Sequence, residues 1–367
     1  MTSGGTRLTV AVIGAGISGA ACARTLTLAG HSVHVFDKSR GPGGRLATRG
    51  VEWIDRRGQA RTTRLDHGAV GFTARSADFQ TFVDRAVQAG CLTAWAPTLA
   101  ADSSPLDDVG SLYLPVPDMP ALCRHLLDGV AATWSCDIDG LHQGPLGWQL
   151  QACGGRLGPL FDVVVSALPP SQAAPLLGPH RLDWARRASV ALMQPCWTLM
   201  GVADEAENAP HQTSGWSLAR PPRGILAWAL RNDARPGRER VRGEAHWVLH
   251  AHAGWSRQHL EQPTGWIQAH LQAALAEWLG QPVEWRHCVA HRWRYARPQT
   301  RCAAPARCWW DASLGLGVCG DFLGGAGVEG SWLSAQALTA ALLLHASNPV
   351  DAPAASATHN PSRRRGA

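Results

Sequence analysis

The chain has 367 residues, of which 45% are hydrophobic and 17% charged, a composition typical of a folded globular protein with ample core. The net charge of +6 fits a weak attraction to phosphorylated ligands, but the arginines are scattered and form no basic stripe, which excludes a nucleic-acid-binding pattern. No run of about 18 apolar residues occurs, so no membrane span is expected.

The start of the chain lacks the basic segment, apolar segment and cleavage site of a secretory signal. The ten cysteines contain no C-x-x-C pair and no regular spacing. We therefore expect a cytoplasmic protein with reduced thiols and no dithiol chemistry.

The first predicted elements form a strand, turn, helix and strand. Residues 8–13 are apolar and β-rich and predict a buried parallel strand, and the pattern G-x-G-x-x-G follows within residues 14–19. A helix is expected over residues 17–29, and HSVHVF, residues 31–36, predicts the next strand. This order is typical of a dinucleotide-binding Rossmann unit.

Each glycine of the turn has its own task in such a unit. Gly14 permits the tight turn, Gly16 lets the backbone approach a pyrophosphate, and Gly19 lets helix and strand pack closely. The helix N-terminus supplies N–H donors for phosphates, and the Asp37 carboxylate can hold both ribose hydroxyls. The residues expected around the pyrophosphate are Gly14, Ala15, Gly16, Ile17, Ser18 and Gly19.

A second glycine-rich loop, DKSRGPGGRLATR, follows the second strand and contains the only lysine of the chain, Lys38. The fork-shaped guanidinium of Arg45 in a glycine-rich loop suits bidentate phosphate contact. A second phosphate-binding loop at this place favours FAD, because its extended form lies along the domain. The cofactor residues expected here are Lys38, Gly44, Arg45 and Leu46.

The middle of the chain predicts a second unit. CWTLMGVA (196–203), GILAWAL (224–230) and AHWVLHAH (245–252) are expected to be strands, and TGWIQAHLQAALAEWLG is expected to be an amphipathic helix. DARPGRER, residues 233–240, predicts an exposed arginine-rich loop.

Near the other end of the chain, residues 316–319 predict a strand that leads into Gly320 and Asp321. A glycine-rich turn and a helix over residues 328–344 follow. Asp321 can meet a ribityl or phosphate-side hydroxyl of a flavin cofactor. The helix N-terminus can face the flavin pyrimidine edge, where its dipole would stabilise negative charge on the reduced ring. The residues at this helix start are Val328, Glu329 and Gly330.

These segments together resemble the flavin-dependent amine-oxidase superfamily and, within it, the bacterial renalases. The resemblance runs from Thr9 to about Leu344 and is most specific in FDKSRGPGGRLATR, LDHGAVGFTAR, LHAHAGWSRQHL, AHRWRYARP and CGDFLGGAGVEGSWLS. It implies non-covalent FAD, with the flavin ring near Gly68 and Ala69. It also implies an adenine contact at Ile138 and a strand that returns past the cofactor near Ala167.

The resemblance implies oxidation of dihydronicotinamide dinucleotides reduced at ring carbon C2 or C6. Hydride moves to flavin N5, and dioxygen then reoxidises the flavin and yields hydrogen peroxide. Amine oxidases of the superfamily generally hold a water at N5 with a lysine, whereas the lysine here lies beside Asp37. An amine oxidase or desaturase of the same superfamily and a non-catalytic flavoprotein are the alternatives. The ring isomer, the NAD or NADP form and the oligomeric state stay open.

Four residues are candidates for the substrate pocket, and none is assigned as a catalytic base: His250, Arg292, Trp293 and Tyr295. Trp293 and Tyr295 alternate as on a strand, so they either sandwich a flat ring or belong to the core. Arg292 either pairs with a ligand phosphate or forms a surface ion pair. His250 and His252 form H-x-H, but no third ligand has matching spacing, so no metal is expected.

Two glycines depart from the pattern of the family. An aromatic residue often stands where this chain has Gly71, and a polar or bulky residue where it has Gly327. Both positions are expected near the flavin or its substrate.

The predicted fold class is α/β, with a Rossmann-like FAD-binding domain interleaved with a mixed-sheet α+β substrate domain. The last stretch is rich in Pro, Ala and Ser and predicts a disordered tail. The expected ranges are 1–75, 112–172 and 290–345 for the FAD-binding domain, 76–111 and 173–289 for the substrate domain, and 346–367 for the tail.

Overall fold

The structure is a computed structural model that describes residues 6–104, 112–205, 215–299 and 306–347. Its strands are β1 (Thr9–Ile13), β2 (Ser32–Phe36), β3 (Arg49–Ile54), β4 (Ala60–Leu65), β5 (Leu92–Trp95), β6 (Leu112–Pro115), β7 (Ala131–Thr133), β8 (Ile138–Gly144), β9 (Gly147–Ala152), β10 (Gly155–Phe161), β11 (Val163–Ser166), β12 (Met193–Asp204), β13 (Leu218–Ala219), β14 (Leu226–Arg231), β15 (Glu244–Ala251), β16 (Trp285–Pro298), β17 (Trp309–Asp311) and β18 (Leu316–Val318). Its helices are α1 (Ile17–Leu28), α2 (Ala77–Gln88), α3 (Ala121–Leu126), α4 (Pro170–Leu177), α5 (Leu182–Val190), α6 (Ala253–Gln258), α7 (Thr264–Leu279), α8 (Asp321–Gly324) and α9 (Gly327–Ser347).

A six-stranded sheet in the order β17-β18-β11-β1-β2-β7 forms the centre of the first unit. All of its neighbouring pairs are parallel except β17 with β18. The register pairs Ile13 with both Phe36 and Ser166, so β1, β2 and β11 end at the same edge. The loops that follow these strands therefore meet at one edge of the sheet.

Side-chain alternation along β1 divides the core of this unit into two layers. Val10 and Val12 face a layer that contains α1, α2 and α9, whereas Ala11 and Ile13 face the layer built by the β8–β10 sheet with α4 and α5. The α/β class predicted from the sequence is confirmed by this arrangement.

The second unit is a five-stranded antiparallel sheet in the order β13-β14-β15-β12-β16. Its outer face packs on α7, whose Ile267, Leu271 and Leu275 are fully buried. Its other face packs on the β3–β4 and β5–β6 pairs, where Leu65 and Leu114 are buried. Both faces are covered, which explains why β12 is apolar on nearly every position.

The chain crosses between the units at places other than the expected boundaries. Helix α2 was expected in the substrate domain, but its Phe79 lies in the core of the first unit, 5.6 Å from the ring centre of Trp332. The expected boundary at residue 290 falls inside β16, which pairs with β12 along its length. Residues 346 and 347, expected in the tail, belong to α9, and residues 348–367 lie outside the described part of the chain.

The expectation of an exposed arginine-rich loop over residues 233–240 is only partly met: Gly237, Glu239 and Arg240 are exposed, whereas Asp233 and Arg235 are buried, as is Arg231 just before the loop. Arg231, Asp233 and Arg235 are 1%, 3% and 3% exposed. Arg231 Nε and Nη2 donate to the two Asp233 carboxylate oxygens at 3.0 and 2.8 Å, and its Nη1 donates to Glu205 Oε1 at 2.9 Å. A guanidinium can be buried only with such partners, and charge alone therefore did not indicate exposure.

None of the helices in the described residues combines the length and the apolar character needed to cross a bilayer.

The buried Arg231–Asp233 pair has a surface counterpart of the same spacing, Arg181–Asp183, with the same bidentate bonds. The Asp233 side chain is 1% exposed, whereas that of Asp183 is 48% exposed. Asp233→Ala leaves a buried guanidinium without its main partner, so we expect the free energy of unfolding to fall by about 3–5 kcal/mol. Asp183→Ala is the matched control and should cost far less. Urea unfolding measures both, and equal losses would contradict burial as the cause.

Candidate functional site

A cleft of about 780 Å³ lies at the edge where β1, β2 and β11 end. Most of the cofactor residues predicted from the sequence line it. These are Gly14, Gly16, Ile17, Ser18, Asp37, Lys38, Gly44, Arg45, Leu46, Ala69, Ile138, Ala167, Gly320, Asp321 and Val328. Residues separated by up to 314 positions in the sequence are thus brought to one surface, because parallel strands end together.

Close packing explains Gly19 of the first loop, and the helix start after Gly16 explains how the loop can bind an anion. A Cβ on Gly19 would stand 1.8 Å from the Gly14 carbonyl oxygen, so only glycine lets α1 pack against β1. Helix α1 begins after Gly16, and no side chain caps its N-terminus. Its first N–H groups therefore face the cleft without a side-chain acceptor, as anion binding requires.

Asp37 joins the first loop to the second. Its Oδ2 accepts a hydrogen bond from the Ala15 N–H at 2.6 Å, and its Oδ1 accepts one from the Ser39 N–H at 2.7 Å. The Gly43 N–H donates to the Ala15 carbonyl at 3.0 Å and adds a second link. The carboxylate predicted to hold a ribose therefore also sets the separation of the two loops.

Arg45 and Asp321 form the charged contact between the two ends of the chain. Arg45 Nη1 and Nη2 donate to Asp321 Oδ2 and Oδ1 at 2.7 and 2.8 Å, and Nη1 also donates to the Ala296 carbonyl at 3.0 Å. The sequence predicted a phosphate contact for Arg45 and a hydroxyl contact for Asp321. The structure pairs them with each other, because Asp321 is 3% exposed and its charge requires a partner.

The start of α9 contributes through Val328 and Ser331, which line the cleft, but not through the Glu329 carboxylate. Glu329 Oε1 accepts hydrogen bonds from Ser76 N–H and Oγ at 2.8 and 2.6 Å, at the start of α2. Ser18 Oγ donates to the Ser331 carbonyl at 3.0 Å and so ties α1 to α9. The acidic side chain anticipated near the flavin thus anchors a neighbouring helix.

Four further predicted cofactor residues lie beside the cleft rather than on its wall. Ala15 is fully buried, and Gly19 packs within the first turn. Gly330 packs against the backbone of Gly325, and Gly68 lines a second cavity.

This second cavity has a volume of about 510 Å³ and adjoins the cleft. The residues that line both are Arg45, Ala69, Trp293, Ala296, Arg297 and Gly327. Gly71 and Gly327, the two departures from the family pattern, belong to its wall. A Cβ on Gly327 would meet no atom within 4 Å, whereas one on Gly71 would lie 3.2 Å from Leu114 Cδ2. The junction of the two spaces is therefore open at Gly327.

The four substrate-pocket candidates divide between the two spaces. His250 and Trp293 line the second cavity, whereas Arg292 and Tyr295 line the cleft. Arg292 Nη1 donates to Glu261 Oε2 and to the Leu260 carbonyl, both at 2.8 Å. The contact between Arg292 and Glu261 is the surface ion pair that the sequence analysis gave as one of two possible roles of Arg292. Of these two aromatic residues only Trp293 lines both spaces, because Tyr295 does not line the second cavity.

Residues 12–86 match a family model for an NAD(P)-binding Rossmann-like domain. Similar solved structures include a protein from Exiguobacterium sp. 255-15 assigned as a protoporphyrinogen oxidase, with TM-score 0.68 and 10% identity over 93% of this chain and 100% of that chain. A cofactor-binding variant of putrescine oxidase has TM-score 0.65 and 14% identity over 93% and 100%. Cyclohexylamine oxidase from Brevibacterium oxydans IH-35A has TM-score 0.63 and 12% identity over 93% and 99%.

The chain has the fold of the flavin amine oxidases. Its N-terminal unit is a Rossmann-like dinucleotide-binding domain within that fold. At 10–14% identity the likeness is one of fold, and it does not carry over the substrates of these neighbours.

The residues of the cleft fit FAD. Ile138 offers an apolar contact at the adenosine end, beside the Asp37 carboxylate, and α1 offers uncapped N–H donors for a pyrophosphate. The other end of the cleft opens into the second cavity, where a flavin ring would face a substrate. Lys38 is exposed and lines the cleft but not the second cavity.

Sequence reasoning missed a histidine cluster beside Trp293. The His67 ring stacks on Trp293 at 5.3 Å and meets the His291 ring edge-on at 4.8 Å. Trp293 Nε1 donates to the His67 carbonyl at 3.0 Å. The β12 register pairs Thr198 with both His250 and His291, which places these two histidines on one face of the sheet. The sequence carries one signal for this cluster, because His291 and Trp293 alternate as residues on one face of a strand do. It does not show which other segments of the chain lie beside that strand.

We expect Asp37→Ala to lower the flavin content of the purified protein, because the substitution removes the hydrogen bond that joins the first loop to the second and the one that Asp37 accepts within the second loop. Asp139→Ala, on the exposed side of β8, is the control and should keep the wild-type content. The ratio of flavin to protein absorbance measures the effect. A fully loaded Asp37→Ala variant would place the cofactor elsewhere.

His67 makes the stability of the fold depend on pH. Burial, then the charges of His291, Arg49 and His250, lower the pKa of His67 to about 3. In the unfolded chain its pKa is about 6.5, so between these values the unfolded state binds more protons. The free energy of unfolding therefore falls as the pH drops below about 6.5, by up to about 1.4 kcal/mol per pH unit from this residue. His67→Asn should flatten the decline seen by urea unfolding, and an unchanged slope would contradict this account.

Proposed function

We propose that this chain is an FAD-dependent oxidase that takes hydride from dihydronicotinamide dinucleotides reduced at C2 or C6 and passes the electrons to dioxygen. The motifs that resemble renalases support this substrate class, and the charge of the second cavity is the observation that carries it. The proposed substrate class distinguishes this chain from amine oxidases with the same fold.

The positive charge on the wall of the second cavity comes from arginine. Arg297, His250 and His252 line it, and no Asp or Glu does so among the described residues. Arg45 also lines it, with its charge offset by Asp321. A cationic amine would find no counter-charge on this wall, whereas a substrate with a pyrophosphate would approach Arg297.

The pKa of His252 reports the same positive potential. Burial lowers it first, and the charges of Arg297 and Arg220 lower it further. Arg297 Nε donates to Gln194 Oε1 at 2.7 Å, so the guanidinium is oriented at the cavity wall by a neutral partner. A basic, oriented group of this kind suits an anionic ligand.

The shape of the cavity suits a flat ring. Trp228 and Trp293 line it, and Trp293 is fixed by its stacking on His67 and its hydrogen bond to the His67 carbonyl. Such a fixed plane can orient a nicotinamide ring at the junction before any chemistry takes place. Burial and the charge of Arg235 lower the pKa of His250 to about 4, so its imidazole is neutral near pH 7. His250 Nε2 is buried and has no hydrogen-bond partner among the described residues.

The proposed reaction requires no proton transfer by a side chain of the protein. FAD, when bound, accepts hydride from the substrate and returns the electrons to dioxygen, which gives hydrogen peroxide. Loss of hydride from a 2- or 6-dihydronicotinamide leaves an aromatic pyridinium, so no side chain has to remove a proton. The second cavity agrees with this requirement, because no lysine and no carboxylate line it in the described part of the chain.

Anaerobic stopped-flow spectroscopy tests the proposal. The purified protein is mixed with borohydride-reduced NAD, which contains the 2- and 6-dihydro isomers, and in parallel with pure 4-dihydro NADH. We expect rapid loss of the flavin band at about 450 nm with the isomer mixture alone, and recovery of the band in air with formation of peroxide.

A third arm of the experiment uses primary amines and polyamines. Bleaching by an amine and not by the isomer mixture would overturn the proposal in favour of an amine oxidase. A flavin that stays oxidised with every donor would overturn it in favour of a non-catalytic flavoprotein.

A further inference from the structure

A buried arginine lies directly behind the wall of the second cavity. Arg235 Nη2 donates to the Val70 carbonyl at 2.9 Å and lies 3.3 Å from Met119 Sδ. Its guanidinium carbon lies 5.4 Å from the centre of the Trp95 ring. Val70 and its neighbour Ala69 line the second cavity, and Ala69 also lines the cleft. The charge of Arg235 is therefore separated from the flavin position by the backbone of this one segment.

The cluster around Arg235 carries more positive than negative charge. Asp66, 3% exposed, is the carboxylate partner of both Arg235, at 3.6 Å, and Arg238, which donates to both Asp66 oxygens. Thr48 Oγ1 donates to the same carboxylate at 2.6 Å. One carboxylate thus faces two guanidinium groups. The nearby Arg231 differs, because it faces two carboxylates, those of Glu205 and Asp233.

Stability does not explain this placement of Arg235. Its Nε and Nη1 have no hydrogen-bond partner among the described residues, and a buried cation with unbonded nitrogens costs folding free energy. Burial lowers the pKa of Arg235 to about 10, which leaves it protonated near pH 7. The folding cost of burying the Arg235 charge beside the expected flavin site points to an electrostatic role for this residue.

The field of Arg235 reaches the cavity wall. Its charge is the second cause, after burial, that lowers the pKa of His250, a residue of that wall. In a low-dielectric interior such an interaction is strong because little solvent screens it.

We propose that Arg235 is a positioning residue for the flavin: it holds the cavity wall through the Val70 carbonyl, and its excess positive charge stabilises the negative charge of the reduced cofactor. The inference rests on FAD binding in the cleft, as proposed above. It concerns the redox equilibrium of the bound flavin and does not depend on which molecule reduces it.

The experiment measures the midpoint potential of the bound flavin by slow enzymatic reduction with a reference dye, in the absence of substrate. We expect Arg235→Met to shift the equilibrium on the order of tenfold towards oxidised flavin, which is about 30 mV for a two-electron couple. Asp66→Asn removes negative charge from the same cluster and should shift it in the opposite direction. Arg235→Lys keeps the charge and should stay close to the wild-type potential.

Arg240→Met is the control for loss of an arginine, since Arg240 is 53% exposed and lies 3.8 Å from Asp233 instead of Asp66. It should leave the potential unchanged. A second readout is the titration of His250 by NMR, in which Arg235→Met should raise the pKa because the opposing charge is gone.

The outcomes separate the two proposals. A wild-type protein without flavin would reject FAD binding. Bound flavin with the wild-type potential in Arg235→Met, or shifts of the same sign in Arg235→Met and Asp66→Asn, would overturn the role of Arg235. If Arg235→Met does not fold, the sign of the Asp66→Asn shift decides, and a potential that does not rise overturns the proposal.

Discussion

Asp66 and the segment that follows it connect the two units of the chain through hydrogen bonds. Residues 66–70 follow the end of β4, where no regular ladder pairs their backbone groups. The Gly68 and Ala69 N–H groups donate to the Ala47 and Arg45 carbonyls, and side chains of the other unit pair with further backbone groups of residues 64–70. Asn232 Oδ1 accepts from the Asp66 N–H at 3.0 Å, and Asn232 Nδ2 donates to the Arg64 carbonyl at 2.9 Å. Arg235 and Trp293 donate to the next carbonyls of the segment. The wall between the cleft and the second cavity is therefore built by residues of both units.

A second constraint links the two ends of the sequence. The bidentate pair of Arg45 with Asp321 connects the second glycine-rich loop to the start of α8, and the hydrogen bond from Ser18 to Ser331 connects α1 to α9. Both contacts span nearly the whole chain, which the parallel sheet permits because β1 and β18 flank β11. The cleft therefore depends on contacts between segments near the two ends of the chain, which come together only when the whole first unit is folded.

Charge divides the site into regions of different chemistry. Asp37 and Asp321 line the cleft, whereas no carboxylate of the described residues lines the second cavity, and Arg297 lies on the wall of both spaces. Burial keeps His250 and His67 neutral, so the polarity of the cavity wall comes from arginine charge and from imidazole hydrogen bonding. A fold shared with putrescine oxidase and cyclohexylamine oxidase can in this way carry a cavity without carboxylates on its wall among the described residues.

The sequence by itself determined the parts of the protein whose signal is local. The strand, glycine turn, helix and strand of residues 8–36 have the predicted order and nearly the predicted bounds, since hydrophobic periodicity and glycine spacing depend on neighbouring residues. It also placed His250 and Trp293 on strands that reach the site. Only the tertiary structure decided that Arg235 is buried, that α2 belongs to the first unit, and that His67 meets His291 and Trp293. These features depend on partners distant in sequence, such as Asp66 for Arg235 and Trp332 for Phe79, and a residue's own neighbours carry no information about them.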